Sequence, residues 1–304
     1  MSDVPPGVQR DFPLARLTTI RTGGPAELFA RPGSMAELER LLAWAEAEGL
    51  EVGVVGSGSN LLVADSGVSG LVIKLDKNLN KIELDGLYIR CGGGARLPSV
   101  SARAAQAGLT GLEFGVNIPG SVGGAVRMNA NAYGGELARV LEWVDVVSGQ
   151  GTQRREPHEL GFAYRRSALA RNEVVARASF LLRPAETETV KQRLAQMRSW
   201  RKEAQPSGIK TFGSTFKNPN GPGGGRTAGQ LLEAAGCRGL RVGGASFSEK
   251  HANFIQNDGE ASTSDVVALM AEGARRVREQ SGVELKPEVE VLGDVELPAQ
   301  WRAR

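Results

Sequence analysis

Glycine is the residue that most constrains this chain. It occupies 40 of the 304 positions, well above the usual share of roughly 7%, and it comes in clusters. Gly56-Ser57-Gly58-Ser59-Asn60-Leu61 closes the apolar run EVGVVG. Ile118-Pro119-Gly120-Ser121-Val122-Gly123-Gly124-Ala125 lies inside a long glycine-punctuated stretch, GLTGLEFGVNIPGSVGGAVRMNANAYGG, which is too glycine-rich for one regular element. Without a Cβ the backbone can approach a ligand closely, and its N–H groups can wrap a phosphate, with Ser and Asn adding donors. Neither cluster is a Rossmann fingerprint or a P-loop. The first lacks the third glycine of GxGxxG and runs into a strand-like LLVA, and neither carries Gly-Lys-Ser/Thr. Taken singly, GSGSN reads as an ordinary turn and IPGSVGGA as a phosphate loop or a tight crossing. Two such loops on one α+β unit point to a dinucleotide diphosphate held by backbone amides.

The remaining pattern gives the framework. Ser34 and Glu37 predict a capping box opening a helix over MAELERLLAWAEAEG, with Leu38, Leu41, Leu42 and Ala45 as its buried stripe. EVGVVG, 61–64 and 71–75 read as strands of a β–α–β start. A hairpin over Lys81–Cys91 turns at Asp85-Gly86, and a helix follows over Pro98–Ala107. Strands are expected over 139–149 and 173–183, then a long polar helix over 186–206. The last third reads as a helix over 227–235, strands near 240–242 and 253–256, a helix over 264–280 and a strand over 289–292. The one low-complexity run is GPGGG at 221–225. The fold class is α+β with mixed sheets. At about 150 residues per domain the length allows two domains. We expect a loose lead-in over 1–16, a first domain over 17–185 in two parts split near residue 76, and a second over 186–304.

Composition excludes several classes. Lys plus Arg number 37 and Asp plus Glu 34, a net charge of +3, too mild for a dedicated nucleic-acid binder. The basic run KQRLAQMRSWRK is flanked by Glu186, Glu188 and Glu203 and reads as a solvated helix face. Cys91, Cys237, His158 and His251 form no CxxC or HxxxH spacing, so no metal site and no disulfide framework is expected. The first sixteen residues are not a signal peptide, and no apolar run reaches 18 residues. The expected location is cytoplasmic.

Three further motifs carry candidate chemistry. Tyr164-Arg165-Arg166-Ser167 offers a guanidinium for bidentate carboxylate binding, or is a surface basic pair. Gly213-Ser214-Thr215-Phe216-Lys217-Asn218-Pro219 offers a hydroxyl proton donor beside phosphate-binding groups, or is a loop around a buried Phe. It is not GxSxG. Leu285-Lys286-Pro287-Glu288-Val289 places a carboxyl at the start of a strand, where such groups are more often solvated.

In this order the five motifs resemble the UDP-N-acetylenolpyruvoylglucosamine reductase (MurB) family, from RTGGPA at Arg21 to EVEVLG at Gly293. The resemblance implies a two-part FAD-binding domain of the vanillyl-alcohol-oxidase (PCMH) type followed by an α+β substrate-binding domain. It implies NADPH-dependent, FAD-mediated reduction of UDP-N-acetylglucosamine-enolpyruvate to UDP-N-acetylmuramate in peptidoglycan precursor synthesis. It makes Arg165, Ser214 and Glu288 catalytic. It assigns Gly56, Ser57, Gly58, Ser59, Asn60, Leu61, Ile118, Pro119, Gly120, Ser121, Gly123, Gly124 and Ala125 to FAD, and Tyr133, Tyr164, Lys217 and Asn218 to the substrate. No metal is implied. Neither histidine lies near the two loops, so FAD is expected to be non-covalent. Gly123→Val is expected to block the cofactor while leaving the fold intact.

The chain departs from the family in places. It has Asn117 and Asn131 where glycine is commoner, and Phe162-Ala163-Tyr164-Arg165 where FGYR is commoner. Asn tolerates left-handed backbone and Ala does not. About twenty residues, none of them Tyr, separate Ser167 from the polar helix, so the chain resembles the insertion-free (type II) form. Two rival readings are a sugar or alcohol oxidase of the same flavoprotein fold and a non-catalytic nucleotide-binding protein. The first does not need the GSTFKNP–PEV pairing, and the second does not need Arg165, Ser214 and Glu288 together.

Overall fold

A computed structural model describes residues 4–221 and 224–302. The first three residues of the expected lead-in, Pro222 and Gly223 of the GPGGG run, and the last two residues lie outside the described residues. Six α-helices are described: α1 Met35–Ala47, α2 Leu97–Gln106, α3 Val122–Arg127, α4 Thr187–Ala204, α5 Ala228–Ala234 and α6 Thr263–Ser281. The lead-in is not loose throughout. Gln9–Pro13 is a strand, and Leu14 after it is fully buried. The mixed polar sequence QRDFP hides this because the strand exposes nearly all of its side chains.

The residues form two compact units. The first comprises the chain up to Arg10, Glu27–Ser57 and Gly70–Arg201. The second comprises Asp11–Ala26, Gly58–Ser69 and the chain from Lys202 onward.

In the first unit five antiparallel strands lie in the order Gly151–Arg155, Leu141–Ser148, Val174–Leu181, Tyr88–Gly92, Ile82–Asp85. Asp85 pairs with Tyr88, so the hairpin turns on Gly86-Leu87, one residue later than expected, with Gly86 at φ +58°. The edge strand Gly151–Arg155 escapes sequence reading because GTQRR has no apolar alternation, as suits a solvated edge. Ile89, Leu97, Val100, Phe114, Val144 and Phe180 centre one apolar core. A second core gathers the α1 stripe Leu38, Leu41, Leu42 and Ala45 with Leu28, Leu71 and Ile73. Helix α1 begins as expected at Ser34, whose Oγ accepts from the Glu37 N–H at 3.3 Å. The Glu37 carboxylate reaches past the cap residue and accepts from the Gly33 N–H at 2.6 Å.

The expected β–α–β start is corrected by pairing. Val52–Val54 and Leu71–Ile73 are parallel partners. Leu61–Val63 instead pairs in parallel with Glu290–Leu292, within the second unit. A three-residue apolar run carries no information about a distant partner. The second unit adds the antiparallel strands Arg241–Val242, Ala245–Phe247 and Ile255–Asn257. Its core joins Ile20, Leu62, Phe212, Phe216, Leu232, Phe247, Val266 and Met270. Helix α6 opens with a full capping box, Ser262 with Asp265, and stops at Gly282 in left-handed backbone.

Phe180 is fully buried in the first core. Phe180→Ala should cost about 3–5 kcal/mol, since a large cavity opens in a packed interior. Denaturant titration followed by circular dichroism measures it.

Candidate active site

The first unit contains an open cleft with about 540 Å³ of empty space, lined by Gly56, Lys74, Gly93, Gly94, Ser121, Gly123, Gly124, Arg127, Glu173 and Val175 among others. Two sequence clusters meet at its wall. Ser57 Oγ donates to Pro119 O at 2.6 Å, and a Cβ on Gly56 would overlap Ser121 Oγ. A Cβ on Gly124 would meet only Ser121 Oγ, at 3.4 Å, so that missing side chain leaves room at the wall. Asn80 Oδ1, packed on Gly94, is buried without a hydrogen-bond partner among the described residues. These features fit a dinucleotide cofactor.

The second cluster behaves differently from its sequence reading in one respect. The N–H groups of Val122, Gly123 and Gly124 already donate, to Ala95 O (2.8 Å), Gly93 O (2.7 Å) and Ser121 Oγ (3.3 Å). Of its glycines, Gly123 serves close backbone packing. A Cβ on Gly123 would press on the carbonyls of Gly93 and Val175, at 3.1 and 3.2 Å. Gly123→Val therefore strains the fold itself and is no clean probe of cofactor binding. Gly58, Ser59, Asn60 and Leu61 belong to the second unit.

Arg165 sits at the tip of a tight turn closed by Ala163 N–H to Arg166 O (3.0 Å) and Arg166 N–H to Ala163 O (3.1 Å). The left-handed backbone falls on Arg165, at φ +55°, and not on Ala163, Asn117 or Asn131. Ala163 thus suits its place. A non-glycine residue in this conformation is strained and must be held by its surroundings. Asn129, 1% exposed, does this: its Nδ2 donates to Ala163 O (3.3 Å) and Glu136 Oε1 (2.7 Å). Arg165 Nη1 donates to Asn131 O at 3.3 Å, and the guanidinium lies 5.4 Å from the Tyr164 ring centre. Tyr133, also left-handed at φ +51°, is 40% exposed. It faces Trp200 at 6.0 Å, and its hydroxyl accepts from Asn117 Nδ2 at 2.9 Å.

In the second unit, Ser214 and Glu288 are set on neighbouring segments. Glu288 N–H donates to Thr215 O (2.8 Å), Lys217 N–H to Lys286 O (2.9 Å) and Thr215 N–H to Asn253 O (2.8 Å). Residues 214–217 thus run between 253–254 and 286–288. Both Ser214 and Glu288 are half-buried. Asn60, expected at the cofactor, donates from Nδ2 to Glu288 O at 3.1 Å. Asn218 Oδ1 accepts the Ala228 N–H that opens α5, at 3.0 Å.

Sequence reading missed the residue that fixes this ladder. Asn253, 4% exposed, accepts the Phe216 N–H on Oδ1 and donates from Nδ2 to Phe216 O, both at 2.9 Å. Its own N–H donates to His251 Nδ1 at 3.1 Å, and burial holds the His251 pKa below its usual value, keeping that acceptor available. Nothing in HANF marks Asn253 beforehand. Lys74, Gly93, Gly94, Arg127 and Glu173 at the cleft were also missed, although the triplet Gly92-Gly93-Gly94 was visible. Cys91 is buried and its thiol is pushed up to about 12 by burial. Among the described residues no group of His, Cys, Asp or Glu could hold a metal, and no helix is long and apolar enough to cross a membrane.

The antiparallel sheet and its glycine-walled cleft fit a flavin-binding protein of the PCMH type. The FAD binding domain family model matches residues 26–156. Phl p 4.0202, a glucose dehydrogenase, shares the fold, with a TM-score of 0.51 at 13% identity over 90% of this chain and 56% of that one. The model of the UDP-N-acetylenolpyruvoylglucosamine reductase C-terminal domain matches residues 205–292. Reductases of that name from Heliobacterium modesticaldum and Rubrobacter xylanophilus are each 43% identical, over 94% and 95% of this chain and 94% and 96% of theirs. The crystal structure of the Thermus caldophilus enzyme (MurB) superposes with a TM-score of 0.82 at 39% identity, covering 94% of this chain and 98% of that one. The chain belongs to the UDP-N-acetylenolpyruvoylglucosamine reductase family.

Asn253→Ala would strand the buried N–H and C=O of Phe216. Each such group costs about 1–3 kcal/mol, so a loss of about 2–4 kcal/mol is expected in denaturant unfolding. A loss below about 0.5 kcal/mol would show that water replaces the clamp.

Proposed function

We propose that this chain is the cytoplasmic enzyme that reduces the enolpyruvyl group of UDP-N-acetylglucosamine-enolpyruvate to UDP-N-acetylmuramate with NADPH, supplying peptidoglycan precursor. The likeness to reductases of that name along nearly the whole chain carries the reading. Neither nucleic acid nor membrane is a partner in it. Residues 56–61 and 118–125 would hold FAD non-covalently, and the flavin would supply hydride transfer between NADPH and the β-carbon of the enolpyruvyl group.

The substrate is left with negative charge at its α-carbon, shared with the carboxylate. Arg165 neutralises that carboxylate, and its pre-set turn supplies the orientation. In its acid form Glu288 would donate a hydrogen bond to the same charge. Ser214 delivers its hydroxyl proton to the α-carbon and is reprotonated from water. A hydroxyl is a poor acid in water, but an enolate facing it is a strong base. Lys217 and Asn218 contact the nucleotide diphosphate. Asn218 does so through its amide N–H groups, because its Oδ1 already holds α5. Tyr164 and Tyr133 contact the substrate.

The purified protein should be yellow, lose its colour with NADPH, and regain it anaerobically on adding the enolpyruvyl substrate. Ser214→Ala should lose colour at the normal rate and regain it about 10²–10⁴-fold more slowly, the usual cost of a lost proton donor. Ser214→Cys should be less impaired. Stopped-flow absorbance separates the two steps. Equal slowing of both would make Ser214 structural.

A further inference from the structure

We propose that Lys74 supplies the counter-charge for the diphosphate of the cofactor, a role that rests on the FAD reading of the cleft. Lys74 follows the strand Val68–Ile73, anchored by its own N–H to Ala30 O at 3.0 Å. It lines the cleft together with Gly56, Gly94, Ser121 and Gly124. Its Nζ donates to Gly56 O, in the first glycine loop. An ammonium has three N–H donors, so one is fixed on the loop and two are left to a ligand.

Two observations give this cation its importance. The N–H groups of Val122, Gly123 and Gly124 are spent inside the unit, so the second loop cannot turn them to a diphosphate. Arg127, the other cleft-lining cation, is held by Leu169 O (3.2 Å), Ala170 O (3.0 Å) and Glu173 O (2.6 Å). The lining carboxylate Glu173 is paired with Arg155.

The electrostatics around Lys74 point the same way. Burial lowers its pKa, the positive charges of Arg31 and Arg96 lower it further, and only Asp76 opposes them. An excess of positive charge in a half-enclosed, glycine-walled cleft is stabilised by an anion with several oxygens. A diphosphate meets that description, and its negative charge opposes the lowering.

The test follows free-flavin fluorescence as the purified, flavin-loaded protein is diluted into low and high salt. Lys74→Met should weaken FAD binding roughly 10- to 100-fold, the range of a charged hydrogen bond, and should flatten the salt dependence seen in the wild type. Lys74→Arg should retain most of both. Should the methionine variant fail to fold by circular dichroism, Lys74→Gln carries the same expectation. Unchanged affinity in the uncharged variant overturns the proposal. So does weakened affinity with the full wild-type salt dependence, because the loss then comes through the Gly56 backbone. A wild-type protein that binds no FAD overturns the cofactor reading, and the role of Lys74 with it.

Discussion

A Cβ at Gly92 would overlap the carbonyl of Leu79, and one at Gly93 would overlap that of Val175. Gly123 in turn donates to Gly93 O, while Gly93 donates to Ala176 O at 2.7 Å. Three segments distant in sequence therefore touch backbone to backbone, with no side chain between them. This contact fixes where α3 starts and forms one wall of the cleft. The carbonyls and amides of the wall satisfy one another, as buried backbone groups must. Charge for a ligand then has to come from side chains reaching in from the sides.

The second unit solves a similar problem by other means. Its candidate proton donor and carboxyl owe their proximity to main-chain bonds along 214–217 and 286–288. A side-chain amide, Asn253, grips Phe216 at both polar ends. Phe216 itself is fully buried, 5.7 Å from the ring of Trp301. The candidate proton donor Ser214 is thus carried by a segment held along both edges. Such pinning serves catalysis because small displacements of a catalytic group cost rate steeply.

What could be read beforehand follows from how local each signal is. The α1 stripe was legible because helix periodicity and its cap lie within one short window. The first glycine cluster was legible as a loop, but the second hides α3, which carries Gly123 and Gly124 inside a short helix. Their partners were not legible: Leu61–Val63 has the same apolar character whichever strand it joins, and only the folded chain shows Glu290–Leu292 beside it. Asn117 and Asn131 looked like sites of left-handed backbone, yet that conformation falls on Asn129, Tyr133 and Arg165. Tertiary bonds, here from Asn129, override residue preference at such turns. Asn253 and Lys74 carry no motif at all, and their importance lies in contacts made across the fold.

The parallel pairing of Leu61–Val63 with Glu290–Leu292 also sets a schedule for synthesis. Chains are made from the N-terminus, so the first strand of this pair emerges while nearly all of its unit is still unmade. Ile20 and Leu62, both fully buried in that unit's core, are likewise early residues awaiting late neighbours. Loop-closure entropy must be met before such distant contacts contribute. The second unit can therefore complete its core only after the ribosome has added the final strand. Until then Leu61–Val63 lacks the strand it pairs with.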